Sequence, residues 1–226
     1  MTRTGLLGGS FNPAHEGHRR LSRHALRLLG LDEIWWLVSP GNPLKSASGM
    51  APLAVRYMSA QTVAHGLPIR VTAIEGEFGT AYTALTLRHL QRRFPNRQFI
   101  WLMGADNLAQ FHRWRDWRGI ARRAPIAVVG RPGYDAGARA APAMGWLRRF
   151  VRPASQAAGW TKWRLPALVL LETPPDPTSA TSLRLADPDW HIDLADTCNP
   201  QALRDAVTRR PIYPRRPIAR PRTHSI

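Results

Sequence analysis

Short apolar runs alternate with amphipathic stretches as far as about residue 186. The runs at 4–8, 33–39, 69–73, 98–103, 126–130 and 167–172 are nearly continuous in Val, Ile, Leu and Trp. That is how strands covered on both faces read, since neither side of the pleat needs polar residues. Helical periodicity fills the gaps. In 17–29, Leu21, Ala25 and Leu28 mark an apolar stripe, Arg20, Arg23 and Arg27 fall on another face, and Gly30 stands at the helix stop. A second helix is expected over 52–64, opened by a proline in its first turn, and a third over 81–94, with Leu87, Leu90 and Phe94 at helical spacing. Strands alternating with helices predict an α/β fold, a doubly wound and mostly parallel sheet.

Two stretches break the rhythm. Residues 133–164 are rich in Ala, Gly, Pro and Arg, with helical character near 143–150, and read as a variable insertion. From Asp187 the periodicity fades, and residues 211–226 hold four prolines and four arginines without a core face. The expected organisation is therefore one α/β domain over 1–186 and a divergent extension over 187–226, whose last sixteen residues are expected to be extended or disordered.

Composition narrows the class. The 226 residues carry 32 basic and 15 acidic side chains, a formal charge of +17, and the only two lysines are Lys45 and Lys162. Such a balance points to anionic partners, either phosphates of small molecules or nucleic acid. Residues 1–185 hold 25 of the basic and 10 of the acidic groups, so the excess belongs to the body of the fold. No apolar run nears the roughly 20 residues of a membrane span, and the start lacks a signal-peptide layout. The single cysteine, Cys198, excludes an intrachain disulfide framework or a cysteine-based zinc cluster. A cytoplasmic protein is the expectation, its oligomeric state left open.

Candidate chemistry concentrates where the first strand meets the first helix, at Gly8-Gly9-Ser10-Phe11-Asn12-Pro13-Ala14-His15-Glu16-Gly17-His18. Ligands bind doubly wound sheets at the carboxyl ends of the strands. Glycines there admit close approach of a phosphate, and the helix start offers free N–H groups and a positive dipole end. His15 and His18, three apart, would share one side of the first turn and could donate to phosphoryl oxygens as charge builds. A tight turn with one capping histidine is the plainer alternative for such a pair.

The stretch Gly9–His18 resembles the Gly-[Ser/Thr]-Phe-[Asp/Asn]-Pro-x-His-x-Gly-His signature of the HxGH nucleotidyltransferases. Within that superfamily the chain is most similar to the bacterial nicotinate-nucleotide adenylyltransferases, over roughly residues 4–184. The resemblance implies a Rossmann-like nucleotidyltransferase fold. It also implies transfer of the adenylyl group of ATP to nicotinate mononucleotide, giving nicotinate adenine dinucleotide and pyrophosphate, with Mg²⁺ accompanying ATP and no dedicated metal-binding residues. The loop Ser39-Pro40-Gly41-Asn42-Pro43-Leu44-Lys45 looks like the family's phosphate-facing basic loop, with Lys45 at the phosphates and Asn42 on the acceptor side. Arg56 stands where the family also has a basic residue, although an exposed helical arginine would need no such role.

Further resemblances assign the rest. Tyr82 and Thr83 match the family's Ser-Tyr-Thr segment, which helps to hold the nicotinate carboxylate. Gly104-Ala105-Asp106 matches its Gly-x-Asp contact to ATP. Trp114 matches the tryptophan on which the pyridine ring stacks, with Trp117 one turn on as the alternative. Trp35, Trp36 and Trp101 are read as packing. Arg131, in Arg131-Pro132-Gly133, is a plausible nucleotide contact, and Ser179-Ala180-Thr181-Ser182-Leu183-Arg184 resembles the family's second phosphate motif. The implied catalytic set is His15, His18, Lys45 and Arg184. The implied ATP set is Gly8, Gly9, Ser10, Phe11, His18, Gly104, Asp106, Ser179, Thr181 and Arg184. Nicotinamide mononucleotide and phosphopantetheine are the rival acceptors within the superfamily. A basic RNA-binding module is the distant rival, and no RNP-type, KH-type or zinc-finger pattern supports it.

Overall fold

The computed structural model describes residues 1–41, 49–130, 140–174 and 179–212. Its centre is a seven-stranded, wholly parallel sheet. The strands are β1 (Thr2–Gly9), β2 (Glu33–Val38), β3 (Ile69–Thr72), β4 (Arg97–Gly104), β5 (Ile126–Gly130), β6 (Val151–Arg152) and β7 (Leu168–Glu172), in the spatial order β3-β2-β1-β4-β5-β7-β6. Between them run α1 (Glu16–Leu29), α2 (Leu53–Ala64), α3 (Ile74–Phe78), α4 (Thr83–Arg93), α5 (Ala105–Gln110), α6 (Trp117–Arg123) and α7 (Met144–Leu147), followed by α8 (Ala180–Ala186) and α9 (Ile192–Thr197). The order reverses beside β1, because β2 and β3 build out on one side and β4 returns on the other. That switch point opens a crevice at the carboxyl ends of β1 and β4.

Why the strands read as unbroken apolar runs is now plain: alternate residues feed different cores. Leu6, Trp35, Leu37, Phe99, Trp101, Met103 and Val128 pack with α4 and α6 on one face. Leu7, Ile34, Trp36, Val38, Ile100, Leu102 and Val129 pack with α1 and α2 on the other. The buried face of α1 centres on Ser22, Ala25 and Leu29, one position round from the predicted stripe. Ser22 belongs there because its hydroxyl accepts the buried Trp36 indole N–H at 2.8 Å.

The segment expected as an insertion packs into both cores. Ala143, Met144 and Leu147 join one, while Ala157 and Trp160 join the other, and Trp160 Nε1 donates to the Leu29 carbonyl at 3.0 Å. Its two-residue strand β6 extends the sheet beside β7. The C-terminal segment is also docked. Asp205 is buried and accepts from Thr72 Oγ1, the Ala73 amide and the amides of Val207 and Thr208. Tyr57 donates from its hydroxyl to the Arg204 carbonyl. At the head of the stretch expected to be disordered, Pro211 bridges to Arg204 and Ile212 is buried. The rest of that stretch, 213–226, lies outside the described residues. Among the described residues no helix is long and apolar enough to cross a membrane.

Candidate active site

The crevice encloses about 1100 Å³. Gly8, Gly9, Ser10, Phe11, His15, His18, Tyr82, Thr83, Gly104, Asp106, Trp114, Ser179 and Thr181 all line it, so residues spread over more than 170 positions converge on one volume. Lys45, Asn42 and Arg131 lie outside the described residues.

The two histidines form the start of α1. His15 is the N-cap, in extended conformation, and its Nδ1 accepts from the Gly17 amide at 3.1 Å. His18, three residues on, returns the bond: its Nδ1 accepts from the His15 amide at 3.2 Å. This is a capping box built from imidazoles instead of the usual hydroxyl and carboxylate. For His18 it fixes the tautomer, since a neutral ring whose Nδ1 accepts must carry its proton on Nε2. The two rings stand together at the cavity, with the centroids 3.9 Å apart. His18 packs on Phe11 and faces Trp36. Burial, helped by the neighbouring His15, lowers its pKa from 6.5 to about 3. In the free protein His18 is a neutral donor.

The loop ahead of α1 is held by packing and by one buried cation. Phe11 adopts a left-handed backbone (φ 48°), a costly conformation for a residue with a Cβ, and its buried ring stacks on Trp36. At Gly8 a Cβ would stand 2.9 Å from Cη2 of the packed Trp101 ring, so β1 and β4 need glycine there. Arg56, which stands at the family's basic position with an exposed helical arginine as the plainer alternative, is 1% exposed. Its guanidinium donates to the carbonyls of Ser10, Ser39 and Ala51, groups that the turning loops leave without ladder partners. Burial lowers its pKa to about 10, which leaves it charged at neutral pH.

On the opposite wall, Ser179 and Ser182 form a hydroxyl capping box at the start of α8. Arg184 departs from its expected position: it does not line the cavity, and its Nη1 donates to the Asn12 carbonyl at 2.5 Å. It thereby ties the second motif to the first, because the Asn12 carbonyl in an irregular loop needs a donor. Near the acceptor side, Thr80 Oγ1 accepts from the Tyr82 amide and the Arg115 guanidinium lies 4.9 Å from the Tyr82 ring. Trp114 lines the cavity and meets Trp101 edge-on at 6.2 Å, whereas Trp117 packs away from it against Trp146.

Several lining residues were not singled out from the sequence. Arg20 and Arg23, placed by the sequence only on a face away from the apolar stripe of α1, line the cavity, as do Arg113, Arg115, Glu75 and Asp106. Trp101, read as packing, is packed and also lines the cavity, and its buried Nε1 has no acceptor among the described residues. Glu75 is 5% exposed, accepts from Thr86 Oγ1 at 2.7 Å, and has its pKa raised to about 7, chiefly by burial. A lone glutamate outside any motif gave no signal. No three His, Cys, Asp or Glu side chains converge to hold a metal among the described residues.

Comparison with known proteins agrees with this geometry. Residues 6–186 match the family model described as cytidylyltransferase-like. A probable nicotinate-nucleotide adenylyltransferase of Erythrobacter litoralis is 59% identical over 93% of this chain and 94% of its own length. One of Parvibaculum lavamentivorans is 51% identical over 80% and 90%. Among solved structures, the Plasmodium falciparum nicotinic acid mononucleotide adenylyltransferase complexed with NaAD superposes with a TM-score of 0.61, covering 82% of this chain and 83% of that one at 15% identity. At that identity the likeness is one of fold.

Proposed function

The chain belongs to the nicotinate-nucleotide adenylyltransferases of the cytidylyltransferase-like family, and from that premise we propose that it joins the adenylyl group of ATP to nicotinate mononucleotide, releasing pyrophosphate and nicotinate adenine dinucleotide for NAD biosynthesis. The observation that carries this reading is the imidazole capping box, which sets both histidines on the wall of a nucleotide-sized cavity.

The acceptor's 5′-phosphate attacks the α-phosphorus of ATP in line, and the bond to the β-phosphate oxygen breaks. No covalent intermediate on the protein is needed, so catalysis rests on positioning and charge stabilisation. Nε2–H of His18 donates to the α-phosphoryl and bridging oxygens with the His15 ring beside it, and the Gly9 and Ser10 backbone lies against the phosphates. Ser179 and Thr181 hydroxyls face the β- and γ-phosphates, assisted by Lys45. Arg184 acts by holding the Asn12 carbonyl in place. Asp106 accepts from ribose hydroxyls. On the acceptor side Tyr82 and Thr83 receive the carboxylate, Trp114 stacks on the cationic pyridine ring, and Asn42 and Arg131 complete the nucleotide contacts.

No cluster of three ligating side chains stands among the described residues. Mg²⁺ would enter with ATP, held chiefly by the nucleotide's own oxygens, and would offset the charge of the triphosphate. We place the enzyme in the cytoplasm, with these small molecules as its partners. Pyrophosphate release from ATP, measured with nicotinate mononucleotide, nicotinamide mononucleotide and phosphopantetheine in turn, tests the assignment. The nicotinate form is expected to give the highest kcat/KM, and a preference for either other acceptor overturns the choice.

A further inference from the structure

We propose that Glu75 is a specificity residue which sets the preference for an anionic over a neutral substituent on the acceptor's pyridine ring. The inference rests on the acceptor subsite assigned above to Tyr82, Thr83 and Trp114. Glu75 lines that end of the cavity and sits on α3, one short turn of chain before the start of α4.

The carboxyl group is buried beside the acceptor segment. Thr86 donates to its Oε1 at 2.7 Å and lies 3.3 Å from the Tyr82 carbonyl, so one side chain separates Glu75 from the stretch that carries Tyr82 and Thr83. Burial outweighs the hydroxyl donors, favours the neutral carboxyl and raises its pKa to about 7.

As a neutral carboxyl, Glu75 tolerates a carboxylate on the ring. Once ionised, it places a second negative charge, shielded from water, on the wall that receives the first. A carboxamide carries no charge and feels no such repulsion. The other ionisable groups around the cavity are His15, His18, Arg20, Arg23 and His24 on or before α1, Asp106 on α5, Tyr82 before α4, and Arg113 and Arg115 ahead of α6. Arg56 of α2 is engaged with carbonyls including that of Ser39, and Asp205 of the C-terminal segment is engaged beneath Ala73. On its own helix Glu77 pairs with Arg93 and Arg210. The acceptor phosphate titrates as well, but it is common to both acceptors and cancels in their ratio.

The test is calorimetric binding of nicotinate and nicotinamide mononucleotide from pH 5.5 to 8.5, without ATP, to the full-length wild type and to Glu75→Gln. In the wild type the ratio of the acid Kd to the amide Kd is expected to rise about tenfold across pH 7. In Glu75→Gln, a neutral isostere, it stays within about twofold. A flat ratio in the wild type, the same rise in Glu75→Gln, or binding of neither acceptor overturns the proposal. A flat wild-type ratio overturns the proposal even if the variant fails to fold. Pyrophosphate release is measured separately: its absence with both acceptors overturns the adenylyl-transfer reading, while the binding ratio still decides the role of Glu75.

Discussion

His18 combines two jobs in one ring, because Nδ1 closes the helix cap while Nε2–H is left for the ligand. His18→Ala is expected to lower kcat by at least a hundredfold, the range for loss of one oriented donor. The lost cap should cost about 1 kcal/mol of stability. Steady-state kinetics and thermal melts separate the two effects. The pH dependence has a defined sign. The pKa of His18 is depressed from 6.5 to about 3 on folding, so its contribution to stability is present above pH 6.5 and is lost as pH falls toward 3. Melting temperatures recorded from pH 7 to 4 should therefore decline less steeply in His18→Ala than in the wild type. Glu75 has the opposite window. Its raised pKa makes the fold lose stability as pH climbs from about 4.5 to about 7, so Glu75→Gln should gain on the wild type over that interval.

At the scale of elements, the phosphate loop is held from outside itself. Arg56 of α2 joins the carbonyls of Ser10 after β1, Ser39 after β2 and Ala51 before its own helix. Arg184 of α8 reaches the next part of the same loop, at Asn12. Replacing Arg56 by Met keeps much of its bulk but leaves three carbonyls without this donor, two of them at the ligand cavity. A loss of about 3–5 kcal/mol is expected, as when a buried polar network is broken. Urea unfolding monitors it, and unchanged stability would show that the carbonyls find other donors. Ligand affinity should fall with it, because the loop that faces the phosphates is the element released.

Across the whole molecule, the C-terminal segment supports the acceptor wall. Asp205 bonds Thr72 at the end of β3 and Ala73 at the start of α3, the helix that carries Glu75. Thr208 and Arg210 reach Glu77 on the same helix. Asp205→Ala removes an acceptor shared by a hydroxyl and three amides. It is expected to lower stability by about 2–4 kcal/mol and to raise KM for the acceptor more than KM for ATP. Two-substrate kinetics decide this, and an equal rise in both KM values would show general loosening instead. Net charge acts at the same scale. Arg20, Arg23, Arg113 and Arg115 bring part of the +17 excess to the cavity wall.

The order of the strands' apolar runs was legible because a parallel sheet covered on both faces leaves no polar alternation to confuse the reading. The phosphate loop, its histidines and the second hydroxyl motif were legible for a related reason: each is a contiguous string whose local geometry, strand–turn–helix or capped helix start, does its work. What lies between motifs was not. Arg56 read as a basic position that an exposed helical arginine would equally explain, Trp101 as packing alone, and Glu75 and Asp205 as nothing in particular. Arg56 takes its place from Ser10 and Ser39, and Asp205 from Thr72 across 133 positions. Local sequence determined the elements and the motifs, since propensity, periodicity and capping act within a few residues. Only tertiary structure decided which buried charges and hydroxyls meet at the cavity, because burial and hydrogen-bond partnership are properties of neighbours that the chain brings together from a distance.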